Sequence, residues 1–190
     1  MQATFLDGYP ATGSDPFCER VRDLVSEELR NRGLATTPFT LAEMNIKPCR
    51  GCFSCWVKTP GVCIIRDDEE AVLCSLATCE LTVWLTPITF GGYSPDLKKA
   101  MDRAIPILLP FFKKMHGEIH HPQRYALKRR LLAIGTLPNR DDESERVFRH
   151  LVGRNAINLA AKPMAIAVLR NDLNDSANAA ELQQALIKVA

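Results

Sequence analysis

The chain has 190 residues, 46% of them hydrophobic and 24% charged, with a formal net charge of +2, which is the profile of one globular domain able to bury a real core. A charge balance this close to neutral gives no electrostatic reason to expect nucleic acid or an anionic membrane as partner. The longest apolar run, Ala104 to Phe112, is too short to span a bilayer and holds two prolines; with no basic-then-apolar leader at the start, the expected location is the cytoplasm, where disulfides are uncommon.

The first apolar run, Ala3–Leu6, reads as a strand. The turn LDGYPATGSDP follows, and then a helix whose Phe17, Val21, Leu24, Val25 and Leu29 recur at helical spacing. Asp15 is its predicted N-cap, Pro16 its first residue and Gly33 its stop. Ala35–Leu41 is the second strand, and the segment CRGCFSCWVKTPGVC, Cys49 to Cys63, follows it. The acidic run Asp67, Asp68, Glu69 and Glu70 reads as a helix start, where negative charge is favoured. Leu81–Thr86 is the third strand, with Trp84 as a core residue. The turn TPITFGGYSP then leads into a helix capped by Ser94 and opened by Pro95, which runs past Met101 until Pro106 bends or ends it. Lys98, Lys99 and Arg103 are expected on its solvated face. The stretch MHGEIHH, with His116, His120 and His121, reads as a mobile surface loop or lid. Arg130–Ile134 and Met164–Leu169 complete the strands, and helices are predicted over Asp142–Ala161 and Ser176–Val189.

Strands alternating with helices imply a doubly wound, flavodoxin-like α/β fold: a five-stranded parallel sheet with helices on both faces. No repeat or linker divides the chain, so residues 1–190 read as a single domain, with a cysteine-rich loop at 48–64 inserted after strand two. In this order the ligand crevice lies at the carboxyl ends of strands one and three. Both ends carry turns rich in Gly, Pro, Ser and Thr, and each leads into a capped helix, a setting that holds anionic cofactors on backbone N–H groups. Each turn alone is explained as an ordinary strand–helix connection; two on one rim are the reason to place a ligand there. The cysteine segment follows strand two, so its thiols flank the same crevice.

Four of the seven cysteines fall in fifteen residues, three at x2 intervals and a fourth after seven more. Zinc sites usually pair two separated C-x2-C knuckles. Three thiols at successive x2 spacings plus one later thiol look more like the loop around an iron–sulfur cube, and Gly51 permits the tight backbone. A dithiol needs only Cys52 and Cys55, reduced packed thiols need no ligand, and the odd count argues against a full disulfide framework. Cys18, Cys74 and Cys79 read as core residues. Trp56, beside the loop, either anchors it or shields a cofactor.

PCRGCFSCWVKTPGVCIIRDD together with TPITFGGYSPDLKKAMDR resembles the NAD(P)H-dependent FMN reductases, above all their iron–sulfur flavoprotein branch, from Leu6 to about Tyr125. The resemblance implies an oxidoreductase enzyme that binds FMN and passes electrons from NAD(P)H or a ferredoxin-type donor to a quinone, flavin or other small acceptor, commonly as a homodimer or homotetramer. It implies that Cys49, Cys52, Cys55 and Cys63 hold a [4Fe–4S] cluster, although relatives with a similar GCFSCW stretch lack one. The expected flavin cradle is Gly13, Ser14, Pro87, Thr89, Phe90, Gly91 and Gly92; no catalytic acid or base is named, because hydride transfer to flavin rests on positioning. The first loop departs from the family pattern, which resembles GSPRKNGNT. Tyr9 stands where a phosphate-binding Ser is usual, Ala11 replaces the Arg, and Asp15 brings a carboxylate towards the phosphate. The loop IGTLPNRDD lacks the usual glycine pair. These departures motivate a second reading, a non-catalytic cysteine-centred redox or metal sensor on a scaffold that has lost FMN. Self-association is expected through Ile105, Ile107, Leu108, Leu109, Phe111 and Phe112.

Overall fold

The structure is a computed structural model that describes residues 1–10, 15–115 and 117–190. Its strands are β1 (Gln2–Asp7), β2 (Ala35–Thr40), β3 (Leu81–Pro87), β4 (Lys113–Met115), β5 (Glu118–His120), β6 (Arg130–Leu137) and β7 (Met164–Arg170). Its α-helices are α1 (Pro16–Asn31), α2 (Ser54–Val57), α3 (Glu69–Thr78), α4 (Pro95–Arg103), α5 (Asp142–Asn158) and α6 (Asp175–Val189). The predicted strands form one parallel sheet in the order β2-β1-β3-β6-β7. The central strands β3 and β6 are buried along nearly their whole length because helices cover both faces. On one face α1 and α6 bury Val21, Val25, Leu29, Leu182 and Leu186 against Phe5, Val83 and Leu132. On the other, α3, α4 and α5 bury Leu76, Leu97 and Phe148 against Leu6, Trp84 and Ala133. Each such aliphatic or aromatic side chain removed from water stabilises the fold by roughly 2 kcal/mol.

The helix ends follow the local chemistry. Asp15 Oδ1 accepts the Phe17 amide at 3.0 Å and Pro16 opens α1, while Gly33, at φ +67°, lets the chain leave it. Ser94 Oγ accepts the Leu97 amide at 3.2 Å and caps α4. Pro106 sits in a 3-10 turn at Ile105–Ile107 just beyond α4. Helix α5 stops at Asn158, short of the predicted Ala161.

Four expectations are corrected. The segment with His120 and His121 is not an irregular surface loop: β4 and β5 pair antiparallel, and His120 is buried between Asn158 Oδ1 and Glu118 Oε2, each at 3.0 Å. His121 Nδ1 donates to the carbonyls of Leu109 and Phe111; His116 lies outside the described residues. Arg103 is not on a solvated face, because its side chain is 1% exposed and pairs with Asp67; Lys98 and Lys99 do face solvent, beside Asp102 and Asp96. Cys74 is exposed rather than core, while Cys79 is buried and Cys18 half-buried. The apolar patch is partly internal: Pro106 and Ile107 are buried, and Phe111 and Phe112 stay exposed. Among the described residues no helix is long and apolar enough to cross a membrane.

Candidate functional site

The carboxyl rim of the sheet carries two features, the ends of β1, β3 and β6, where this strand order places a ligand crevice, and the thiol loop that follows β2. At the crevice, β1 ends in a tightly tied corner. The Gly8 amide donates to the Leu85 carbonyl at 2.8 Å, and a Cβ on Gly8 would lie 2.6 Å from the capping hydroxyl of Ser94, so only glycine lets β1 approach α4 this closely. Tyr9 is fully buried, its hydroxyl donating to Thr136 Oγ1 at 2.6 Å, and burial pushes its phenol far above the usual range. Its amide donates to Asp7 Oδ1 at 2.9 Å, and Arg22 Nε holds Asp7 Oδ2 at 2.6 Å. Tyr9 is therefore a plug between strand ends and offers nothing to a phosphate. Gly13 and Ser14, the expected phosphate donors, lie outside the described residues.

The turn after β3 is arranged differently. Thr89 and Gly92 exchange amide–carbonyl bonds at 3.1 and 2.8 Å, which closes a tight loop and commits their amides. The Phe90 and Gly91 amides donate to no described residue. Both residues are left-handed, at φ +50° and +75°, and the Phe90 ring is 98% exposed. A Cβ on Gly91 would lie 2.6 Å from Val147, so glycine is needed where this turn packs on α5. An apolar ring held in water beside two open amides is the surface that a planar heteroaromatic with acceptor atoms at its edge would cover. The ring end of a flavin fits these residues. The phosphate end fits less well, because its nearest described side chains are the paired Asp7 and Arg22 and the Asp15 carboxylate, which already occupies the first free amide of α1.

Cys49, Cys52, Cys55 and Cys63 all line one cavity, together with Phe53, Arg103, Ile105 and Pro106, and all four are free thiols. Phe53, at φ +52°, turns the chain into α2 and places Cys55 half inside the protein. The Ser54 hydroxyl and amide hold the Cys52 thiol below its ordinary value. Burial, followed by the nearness of Cys63, Cys49 and Cys52, pushes Cys55 up. Among the described residues no three His, Cys, Asp or Glu groups converge closely enough to share an ion. The thiols ring a common space without being drawn onto one centre. An all-thiol donor set around one cavity has the chemistry of a thiophilic centre, iron–sulfur or zinc. Trp56 anchors the loop, donating from Nε1 to the carbonyls of Ile105 at 3.2 Å and Leu108 at 3.1 Å, with its ring against Phe53 and His121.

Beneath the loop lies a group of charges that sequence reasoning missed. Arg103 forks onto Asp67, Nη1 to Oδ2 and Nη2 to Oδ1, both at 2.9 Å, and the Asp67 side chain is 0% exposed. Burial works against the Asp67 charge, yet the bonds from Arg103 and the Lys47 amide keep its carboxyl below the usual range. Glu69 is completely buried and neither of its oxygens has a partner. Burial, offset by Arg103 and reinforced by Asp67, raises its pKa to about 8. A signal was present: Leu97, Ala100 and Arg103 share one spacing on α4, as do Glu69, Val72, Leu73 and Leu76 on α3, so both charges sit on apolar stripes.

Comparisons with known proteins bear on the family and the fold. The model of the NADPH-dependent FMN reductase family matches residues 1–135. An iron–sulfur flavoprotein of Methanocaldococcus jannaschii is 35% identical over 91 residues, 46% of this chain and 46% of that one. One from Archaeoglobus fulgidus is 30% identical over 91 residues, 48% of this chain and 46% of its own. The chain thus spans about half the length of the curated relatives it matches. Among solved structures, an NAD(P)H:quinone oxidoreductase from Methanothermobacter marburgensis superposes with a TM-score of 0.70 at 14% identity, covering 97% of this chain and 92% of that one. An FMN-dependent NADH-azoreductase from Bacillus anthracis, in complex with FMN, gives 0.59 at 16% identity, covering 97% and 99%. These two likenesses establish the flavodoxin-like fold.

Proposed function

The chain belongs to the NADPH-dependent FMN reductase family, and on that premise we propose that it is an FMN-dependent oxidoreductase that moves electrons from NAD(P)H, or a ferredoxin-type donor, to a quinone, flavin or other small acceptor. The observation that carries this reading is the turn after β3, where the exposed Phe90 ring stands beside the open amides of Phe90 and Gly91. Bound FMN would supply the redox chemistry, accepting hydride from a nicotinamide and releasing electrons to an acceptor. Phe90 would cover the ring system, the two amides would meet acceptor atoms at its edge, and Pro87, Thr89 and Gly92 would hold the turn in shape. Gly13 and Ser14 would contribute phosphate donors at the start of α1. Tyr9, plugged against Thr136, ties the ends of β1 and β6 together across β3.

Cys49, Cys52, Cys55 and Cys63 would hold a [4Fe–4S] cluster on the same rim, supported by their shared cavity and their soft donor chemistry. The exposed Phe111, Phe112 and Ile119 support assembly into a homodimer or homotetramer, which light scattering across a concentration range tests. Titrating the apoprotein with FMN and FAD tests the flavin reading. FMN is expected to bind more tightly, since one phosphate loop and no second dinucleotide fingerprint are present; equal or tighter FAD binding overturns it. The second reading, a cysteine-centred redox or metal sensor without flavin, is favoured by Asp15 and the buried Tyr9 at the phosphate end. Anaerobically purified protein that is colourless, takes up no flavin and holds stoichiometric zinc would decide for it.

A further inference from the structure

We propose that Arg103 is the positioning residue of the four-thiol site. Its guanidinium, locked by Asp67, ties the two ends of the cysteine segment together and fixes where Cys63 stands relative to Cys49, Cys52 and Cys55. The proposal rests on the reading that these four thiols act as one donor set.

The loop needs such a tie because it makes so little regular structure. From Asn45 to Asp68 the four residues of α2 are its sole helical or strand element, and Cys63 is eleven residues beyond Cys52. Closing a flexible segment of this length carries an entropic cost that side-chain bonds must offset. Arg103 Nη1 donates to the Lys47 carbonyl at 2.7 Å, two residues before Cys49, and Nη2 to the Ile65 carbonyl at 3.3 Å, two residues after Cys63. Asp67 accepts from the same two nitrogens and also from the Lys47 amide at 3.0 Å. One guanidinium therefore bridges both flanks of the segment, and one carboxylate fixes its rotation.

Arg103 also stands at a boundary. With Cys63 and Ile65 it lines both the thiol cavity and a second cavity of about 100 Å³ that runs between α3, Ile107 and Tyr125. It is thus, with Cys63, part of the wall between the two cavities. Lysine carries the same charge but cannot fork across two carbonyls and a carboxylate at once. A buried ion pair is often dispensable for stability when both partners are replaced by apolar groups, so a role confined to stability and a role in the site predict different outcomes.

The test uses the full chain, handled anaerobically, as wild type, Arg103→Lys, and the double variant Arg103→Met with Asp67→Leu. Cobalt(II) is the metal probe, read by its thiolate charge-transfer absorption. In metal-free protein, iodoacetamide alkylation of Cys63 relative to Cys74 is followed by mass spectrometry. Arg103→Lys is expected to bind cobalt about tenfold more weakly and the double variant about a hundredfold more weakly, the range found when groups that orient metal ligands are removed. Melting and FMN uptake should stay as in the wild type, and the Cys63:Cys74 alkylation ratio should change about tenfold or more in the double variant, with lysine restoring part of it. Cobalt affinity within twofold of wild type and an unchanged alkylation ratio overturn the proposal. So does a loss of cobalt binding that merely tracks a loss of melting temperature, because Arg103 is then a general structural tie. If the wild type itself binds no cobalt, the donor-set reading fails, and the alkylation ratio alone decides: changed, Arg103 still positions Cys63; unchanged, it does not.

Discussion

The crevice after β1 and β3 and the thiol loop after β2 share one rim of the sheet but are held by different means. At the crevice the helix starts and the turn are set by short-range contacts, Asp15 and Ser94 capping the helices that they precede and Thr89 bonding Gly92 three residues on, while backbone pairing and the Tyr9–Thr136 bond join the strand ends. The thiol loop is held from afar. Arg103 reaches back 36 residues to Asp67 and 56 to Lys47, and Trp56 reaches forward 49 to Ile105. Local capping is written in neighbouring residues and survives single changes at modest cost. A loop tied by one buried charge group concentrates its stability, and its sensitivity to pH, in a few side chains.

The sharpest way to break the contrast is to cut the tie on one side only. Arg103→Met leaves Asp67 charged, buried and without its partner, so unfolding free energy should fall by about 3–5 kcal/mol. Lys98→Met, on the solvent face of the same helix, should change it by less than about 1 kcal/mol. Urea denaturation of the two variants checks this, and similar losses would mean that the buried pair holds no special place.

A somewhat smaller effect follows from Glu69, and its sign can be worked out. Its folded pKa, about 8, lies above the ordinary 4.5. Between those values the folded chain keeps a proton that the unfolded chain releases, so stability falls as pH rises through this window and levels off above about 8. From pH 5 to pH 7 the contribution of this one group is about 3 kcal/mol. Glu69→Gln removes the titration, so the stability difference between wild type and variant should shrink by about that much as pH drops from 7 to 5. A difference independent of pH would show that Glu69 reaches solvent or a partner.

The same contrast governs what the sequence disclosed. Strand order, the Asp15 and Ser94 caps and the Gly33 stop were legible because each depends on residues a few positions apart or on an apolar period. Phe90 and Gly91 were legible as a turn through the glycine pair. Arg103 was misassigned because a charge reads as solvated until its partner is known, and that partner lies on another element; the acidic run does stand at the start of α3, as read, but the burial of Asp67 and Glu69 was not legible for the same reason. Their places on the stripes of α4 and α3 were visible, but an apolar period does not tell a buried ion pair from a helix edge. The β4–β5 hairpin escaped notice because three-residue strands carry almost no alternation.

On the crevice side the expected effects are smaller, since fold and ligand contact separate cleanly there. Phe90 is 98% exposed, so Phe90→Ala should leave melting unchanged and weaken FMN binding by about 1 kcal/mol, roughly fivefold, as a lost aromatic contact does. Flavin fluorescence quenching measures it, and unchanged affinity would remove the Phe90 turn from the cradle.

The smallest effect isolates the phosphate end. Asp15 caps α1 by accepting the Phe17 amide at 3.0 Å, and asparagine caps a helix about as well as aspartate. Asp15→Asn therefore keeps the cap and removes one negative charge from the place where a phosphate dianion would approach. The helix dipole favours an anion there, worth about 0.5 kcal/mol for an exposed charge, and the carboxylate at present takes that benefit. Freeing it should tighten FMN by about two- to threefold at low salt. The gain should fade near 1 M salt, where the screening length drops to about 3 Å. Riboflavin has the same ring system without the phosphate, so its affinity should not change. A gain for riboflavin equal to that for FMN would mean that the substitution reshaped the ring end instead. No gain for either would place the phosphate away from the start of α1 and leave the first loop without its expected role.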